Sequence, residues 1–274
     1  MYDLSKRVAL VTGAGGERGI GRAVARRLAA DGAAVAVADL RLRESGAWGG
    51  LEAVAAEIEA SGGRALPLVG SVADAGQVDD MVAATLEHFG RLDIAVNNAG
   101  AAAGPDRVPV VELPEAEWDR VQAVNARGTF LCCRAAARHM IERGGGGRII
   151  NISSLAGQRG IARYAAYCAS KFAVVGLTQV LAQELGPEGI TVNAVCPGLV
   201  DTERLAGMAE GLRPEGVTAE AYRQELVDAN AAMTALGRVA QPEDVARTVA
   251  HLASDEAVYL TGLCVSVSGG AWMG

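Results

Sequence analysis

The sequence predicts a single α/β domain, residues 1–274, built on a doubly wound parallel sheet of seven strands with helices on both faces. Three observations carry that prediction. Short apolar runs alternate with helical patterns along the whole chain. The runs are apolar throughout rather than at every second residue, the mark of strands covered on both sides. A length of 274 residues suits one core and demands no second domain.

The elements follow in order. The first run, residues 7–12, contains Val8-Ala9-Leu10-Val11 and has no polar side. It ends in Thr12-Gly13-Ala14-Gly15-Gly16-Glu17-Arg18-Gly19-Ile20-Gly21, a glycine-rich turn that flows into a helical pattern over 19–30. A second strand, 34–39, stops at Asp39, and a helix is expected over 51–60. The third strand, 65–69, leads through Gly70-Ser71-Val72-Ala73-Asp74 into a helix over 75–89. The fourth, 92–96, leads into Asn97-Asn98-Ala99-Gly100 and then a long helical pattern over 115–143. Gly144 to Gly147 form a flexible turn before the fifth strand, 148–153, and the helix over 164–185. The sixth strand, 191–195, gives way to Cys196-Pro197-Gly198, and a helix over 242–253 precedes the last strand, 263–267. Residues 199–239 read as irregular, and so long a connection inside a compact domain predicts a lid over a substrate site.

Composition narrows the partners. A formal net charge of −7 argues against a nucleic-acid or anionic-membrane surface, each of which calls for a basic face. No run of eighteen apolar residues occurs, and Met1-Tyr2-Asp3-Leu4-Ser5-Lys6-Arg7 enters the first strand without a signal-peptide core. A cytoplasmic protein acting on a small molecule is the expectation. Cys132, Cys133, Cys168, Cys196 and Cys264 show no Cys-x-x-Cys spacing and read as free thiols. His88, His139 and His251 stand alone near helix ends, so no catalytic metal is expected.

Tyr167-Cys168-Ala169-Ser170-Lys171 places a phenol and an ammonium four residues apart on a helix, on one face and within mutual reach. A lysine charge at roughly 4 Å and an effective dielectric of ~20 stabilises a phenolate by about 4 kcal/mol, which turns a poor base into a usable one near neutral pH. The glycines of the first turn let backbone N–H groups and the positive end of a helix approach a diphosphate. Asp39, eighteen residues beyond Gly21, can accept both ribose hydroxyls of an adenosine. Its carboxylate would repel a 2′-phosphate, so NAD is expected over NADP. Arg18 and Arg41 weigh on the other side, since either can reach a phosphate.

These motifs together resemble the short-chain dehydrogenase/reductase family, over about residues 6–270. The resemblance implies a Rossmann-type fold, a homotetramer, and hydride transfer between a nicotinamide and a secondary alcohol or ketone. It implies Asn125, Ser154, Tyr167 and Lys171 as the proton relay. Tyr167 is then general base or acid, Lys171 lowers its pKa and bonds the nicotinamide ribose, and Ser154 bonds the substrate oxygen. Ser154 is preferred to Ser153 because it stands thirteen residues before Tyr167, the family's usual interval. Asn125, in Val124-Asn125-Ala126, is implied to hold a relay water through a backbone kink. Cofactor contacts are implied at Gly13, Arg18, Gly19, Ile20, Gly21, Asp39, Ser71, Val72, Asn98, Ala99, Gly100, Pro197, Gly198, Val200 and Thr202, besides Tyr167 and Lys171.

The chain departs from the family's pattern in three places. Five residues rather than three separate Thr12-Gly13 from Gly19, so the diphosphate turn is longer, and Glu17 is expected to point away from phosphate. Ser71 replaces an aspartate that recognises the adenine amine, a contact a hydroxyl reproduces only in part. Ser268 stands where an acidic residue is common, a change without a physical account. The alternative reading is an NADPH-dependent carbonyl reductase resembling the 3-oxoacyl-carrier-protein reductases. Leu155, Ala156, Gln158, Tyr164 and Leu199 are candidates to line the substrate site. Arg163, one turn before Tyr167, either holds an anionic group, points to solvent or pairs with a lid carboxylate such as Glu203. With no second basic residue beside it in sequence, a neutral secondary alcohol or ketone is expected.

Overall fold

The computed structural model of the chain describes residues 2–43 and 48–273. In chain order these residues form β1 (Val8–Thr12), α1 (Ile20–Ala30), β2 (Ala34–Asp39), α2 (Gly50–Ala60), β3 (Arg64–Val69), α3 (Ala75–Phe89) and β4 (Ile94–Asn97). There follow α4 (Glu115–Gln122), α5 (Gly128–Arg143), β5 (Gly147–Ile152), α6 (Ala165–Leu185), β6 (Ile190–Pro197), α7 (Glu203–Leu212), α8 (Ala219–Ala232), α9 (Pro242–Ala253) and β7 (Cys264–Val267). The strands lie in one sheet in the order β3-β2-β1-β4-β5-β6-β7, and every neighbouring pair is parallel. The expected seven-stranded, doubly wound Rossmann-type architecture is therefore present.

Alternation along each strand divides the core between the two faces. On one side Ala9, Val11, Val35, Val37, Ile150 and Val195 pack against Val24 and Leu28 of α1, Val54 and Ile58 of α2, and Val245 and Val249 of α9. On the other, Leu10, Ala36, Ala95, Ile149 and Val192 meet Val78 and Met81 of α3 and Leu131 and Ala136 of α5. Residues of both sets are buried, which is why the strands read as unbroken apolar runs. Each fully buried leucine or isoleucine contributes about 1.5–3 kcal/mol.

Two segments differ from the sequence expectation. The long pattern at 115–143 is not one uniform helix, because Ala123–Arg127 forms a π turn between α4 and α5. A π turn widens the backbone spacing by one residue and leaves no period change that hydrophobic patterning can show. The stretch at 199–239, expected to be irregular, contains α7 and α8. None of the residues of α8 is buried and α7 buries only Leu205 and Ala209, so neither helix carries the broad apolar stripe by which helices are recognised. The alanines at 135–137 face the chain's own sheet rather than outward. The exposed apolar residues of α5 and α6 are Phe130, Ile141, Phe172 and Val180. By length and composition Ala165–Glu188 is apolar enough to cross a membrane. In the fold it packs on β6 and buries Ser170, Lys171 and Thr178.

The winding reverses beside β1, with β2 on one side and β4 on the other. In such sheets a crevice opens at the carboxyl ends of the strands where the order reverses, and ligands bind there.

Candidate functional site

The carboxyl ends of β1 and β4 are locked together. Asn98 donates from its side chain to the carbonyls of Thr12 at 2.9 Å and Gly13 at 2.8 Å. The backbone N–H groups of Asn98 and Ala99 donate to Thr12 Oγ1 at 3.1 and 3.2 Å. Gly13 has φ of 66°, and a Cβ on it would lie 2.8 Å from Ala99 Cα. A Cβ on Gly21 would collide with the carbonyl of Gly13. Both positions need glycine, one for its backbone angle and the other for close helix-to-strand approach.

The lengthened turn between them folds onto itself. Gly15 N–H donates to Asp39 Oδ2 at 2.9 Å, Trp48 Nε1 donates to the Gly15 carbonyl at 2.7 Å, and Gly19 N–H reaches the Gly16 carbonyl at 3.4 Å. Asp39 Oδ1 accepts from Leu40 N–H at 2.7 Å. Gly19 caps α1 without a side-chain hydrogen bond, so no side chain of the cap satisfies the first N–H groups of that helix. At this end of the turn Arg18 N–H donates to Glu203 Oε1 at 2.8 Å. The turn thus already holds a carboxylate beside the helix N-terminus, and a diphosphate would find the same donors and the same dipole there. Glu17 is exposed, and among the described residues only its carbonyl is engaged, by Arg22 Nη1 at 2.6 Å. Arg18 and Arg41 are exposed, and Ile20 is half-buried against the core of α1. The residues present therefore fit a dinucleotide, with the Asp39 carboxylate at the end of β2 beside the glycine-rich turn.

Ser154, Tyr167 and Lys171 come together on the far side of that crevice. Lys171 is 5% exposed and donates from Nζ to the Ile152 carbonyl at 2.7 Å. Nζ lies 5.8 Å from the centre of the Tyr167 ring. Burial alone would push the Tyr167 phenol up. The charges of Arg204 and Lys171, a hydrogen bond with Ser154 and the charge of Arg107 outweigh it and hold the phenol below its ordinary range. Burial, opposed by Tyr167, holds the Lys171 ammonium below its own range. Ser154 caps the short turn Leu155–Gly157, its Oγ accepting from Ala156 N–H at 3.1 Å. Ser153 is turned inward and donates to the Lys171 carbonyl at 3.0 Å, so only Ser154 faces the phenol.

Asn125 lies at the middle of the π turn, fully buried. Its Oδ1 accepts from Ala101 N–H at 2.8 Å and its Nδ2 donates to Ser170 Oγ at 3.0 Å, tying the loop after β4 to α6. The remaining expected positions spread along the crevice. Gly100 is exposed at the mouth, Pro197 ends β6, and Gly198 N–H donates to the Val267 carbonyl at 3.0 Å. Val200 bridges to Ala240, and Thr202 starts α7. Ser71 is committed locally, accepting on Oγ from Ala73 N–H at 3.3 Å, while Val72 packs beneath it against Gly128.

On the substrate side one candidate leaves the crevice, and of the alternatives open for Arg163 the solvent-facing one is found. Gln158 turns away from the crevice, its Oε1 accepting from Ser266 Oγ at 2.9 Å. Arg163 has φ of 68° and lies exposed before α6, so it does not share the helical face of Tyr167. Glu203 pairs with the glycine-rich turn rather than with Arg163. Tyr164 is half-buried at the crevice, 6.4 Å from the Tyr167 ring, and its hydroxyl meets Met208 Sδ at 3.5 Å. Leu155 and Leu199 line a small cavity with Gly198, Met233 and Val239, beside buried Ala156.

Sequence reasoning missed Arg107, Arg204 and Trp48. Arg107 and Arg204 place their guanidinium carbons 4.4 and 5.1 Å from the centre of the Tyr167 ring. They belong to stretches without periodicity, and an arginine is ordinarily a surface residue, so nothing in the pattern marked them.

Comparisons with known proteins bear on the fold and the family. Residues 13–271 match the family model described as enoyl-(acyl carrier protein) reductase. A short-chain dehydrogenase/reductase from Armillaria gallica is 42% identical over 270 residues, covering 96% of this chain and 95% of that protein. A sorbitol dehydrogenase from Cereibacter sphaeroides is 38% identical over 270 residues, covering 98% and 99%. Among solved structures, levodione reductase superposes with a TM-score of 0.85 at 36% identity, covering 97% of each chain. Fold, matched length and identity point the same way: the chain belongs to the short-chain dehydrogenase/reductase family of oxidoreductases.

Proposed function

We propose that this oxidoreductase is NAD(H)-dependent and interconverts a secondary alcohol and its ketone, with Tyr167 moving the proton. The observation that carries the reading is the phenol held below its ordinary range among Lys171, Ser154 and two arginines, across the crevice from a glycine-rich turn. When bound, the nicotinamide supplies the hydride acceptor or donor. Tyr167 Oη takes the alcohol proton in oxidation and returns it in reduction, a contribution of order 10²–10⁴ in rate. Ser154 Oγ donates to the substrate oxygen as charge builds there. Lys171 Nζ stabilises the phenolate and, anchored on Ile152, reaches the nicotinamide ribose. Asn125, in the π turn, supports a water that feeds protons to Lys171. Asp39 accepts the adenosine ribose hydroxyls and disfavours a 2′-phosphate. Residues 199–239, with α7 and α8, close over the substrate.

The rival is an NADPH-dependent reductase of acyl-carrier-protein substrates, favoured by the family model's description and by Arg41 two residues past Asp39. Rates with both cofactors on a panel of secondary alcohols and ketones separate the two. In the same assay Tyr167→Phe is expected to leave NADH binding nearly intact and lower turnover at least about 100-fold. Turnover above a tenth of wild type would sink the role of the phenol.

A further inference from the structure

The loop after β4 carries a charged side chain whose N–H donors the reaction described above leaves unused. Arg107 is 3% exposed. Its guanidinium carbon lies 3.9 Å from the ring centre of Tyr164 and 4.4 Å from that of Tyr167, so it stacks on both phenols at the mouth of the crevice. Asp106 is the acidic group nearest to it among the described residues, with Oδ2 at 3.4 Å from Nε in a geometry that makes no hydrogen bond. Asp106 Oδ1 is taken by Gly104 N–H at 3.0 Å, with Arg120 Nη2 at 3.5 Å. Among the described residues Arg107 Nε and Nη1 are therefore buried donors without an acceptor.

Stacking on aromatic faces stabilises the cation but satisfies none of its N–H groups. A buried donor left unpaired costs about 1–3 kcal/mol, and more for a charged group. Natural structures leave few such groups, and each calls for a partner. A second guanidinium lies near the same ring. Arg204, on the first turn of α7, lies 5.1 Å from the Tyr167 ring centre and reaches toward Gly100. It makes no ion pair among the described residues.

We infer that Arg107, assisted by Arg204, receives a carboxylate of the substrate, which makes the substrate a hydroxy acid or its oxo acid with the carboxylate a bond or two from the carbinol carbon. This rests on the reading of Tyr167 as the proton-transfer residue. Guanidinium groups bind carboxylates through paired N–H donors, side-on through Nε and Nη2 or end-on through Nη1 and Nη2, and the unpaired Nε and Nη1 leave a free donor on each of these edges of Arg107. In oxidation the alcohol C–H gives its hydride to NAD⁺ and the O–H gives its proton to Tyr167. The products are the ketone, NADH and one proton, and the carboxylate passes through unchanged. The neutral substrate expected from sequence followed from the lack of a second basic residue beside Arg163; the fold instead brings Arg107 and Arg204, distant in sequence, to the Tyr167 ring.

The test compares lactate, 3-hydroxybutanoate and mandelate, each against its methyl ester, with NAD⁺ in wild type, Arg107→Met and Arg107→Lys. In at least one pair the acid is expected to exceed the ester by about 100-fold in kcat/KM, equivalent to about 2.7 kcal/mol. Arg107→Met removes that preference chiefly through KM and Arg107→Lys restores part of it; the ester, which loses only the effect of the Arg107 charge on Tyr167, falls by less than the acid. Equal use of acid and ester in all three pairs by wild type overturns the inference while leaving the alcohol dehydrogenase reading intact. So does an equal loss on both in Arg107→Met, which marks Arg107 as a stacking residue only. Calorimetric titration with pyruvate, acetoacetate and phenylglyoxylate supplies an arm independent of turnover. Should no secondary alcohol be oxidised with either cofactor, the Tyr167 reading fails, and oxo-acid binding lost in Arg107→Met would still support the carboxylate site. Absence of such binding would overturn it. If Arg107→Met does not fold, Arg204→Met carries the same comparison, with a smaller loss expected.

Discussion

At the scale of single residues the site is an arrangement of charges around one phenol. Oxidation uses the deprotonated Tyr167, so its rate climbs as pH rises through the phenol's pKa, and a pKa held below the ordinary value starts that climb earlier. Removing the Arg204 charge leaves the effect of burial less opposed, and the pKa moves up. Arg204→Met is therefore expected to shift the rising limb of kcat/KM for oxidation to higher pH, read from a pH-rate profile. At the other end of the crevice, Asp39 should give NAD an advantage of at least ~10-fold in kcat/KM, about 1.4 kcal/mol. Asp39→Ala should narrow it, since the carboxylate goes and Arg41 stays. Equal efficiency with NADP in wild type would refute the expectation. Tyr167, Lys171, Ser154 and Asp39 were legible because their spacings are regular in sequence. Arg107 was not, since its significance lies in what fails to touch it, and that is a property of three dimensions.

Among the elements, the contact between α1 and β1 is the tightest constraint on the crevice. A methyl group on Gly21 would meet the Gly13 carbonyl, so Gly21→Ala must push α1 outward or distort the turn. Overpacking of this kind costs about 1–3 kcal/mol, and denaturant titration should show that loss together with weaker cofactor binding. The alternation of strands and helices was readable because seven apolar runs are short and bounded by turn residues. The π turn at Ala123–Arg127 was not, because its signature is a hydrogen-bond shift rather than a composition. Nor were α7 and α8, whose few buried residues make no stripe. Their position explains how Glu203 and Arg204, adjacent in sequence, reach different ends of one crevice: Glu203 the glycine-rich turn, Arg204 the phenol.

Across the whole molecule, the exposed apolar residues of α5 and α6 suggest where copies meet. Phe130 and Phe172 are 42% and 45% exposed, with Ile141 and Val180 beside them on the same two helices. A homotetramer is expected, and Phe130→Asp with Phe172→Asp should shift light scattering toward smaller species at micromolar concentration while leaving circular dichroism unchanged. A monomeric wild type would reject the assembly. The strand order has a further consequence, for synthesis. β1, β2 and β3 come off the ribosome first and can pair at once, but the other edge of β1 waits for β4, whose pairing spans Ala9 to Ile94. Until then the nascent chain presents an open strand edge on the apolar run Val8-Ala9-Leu10-Val11, the template on which chains aggregate. A chain truncated after β3 should therefore precipitate or recruit chaperones, whereas one that also contains β4 has its central edge covered.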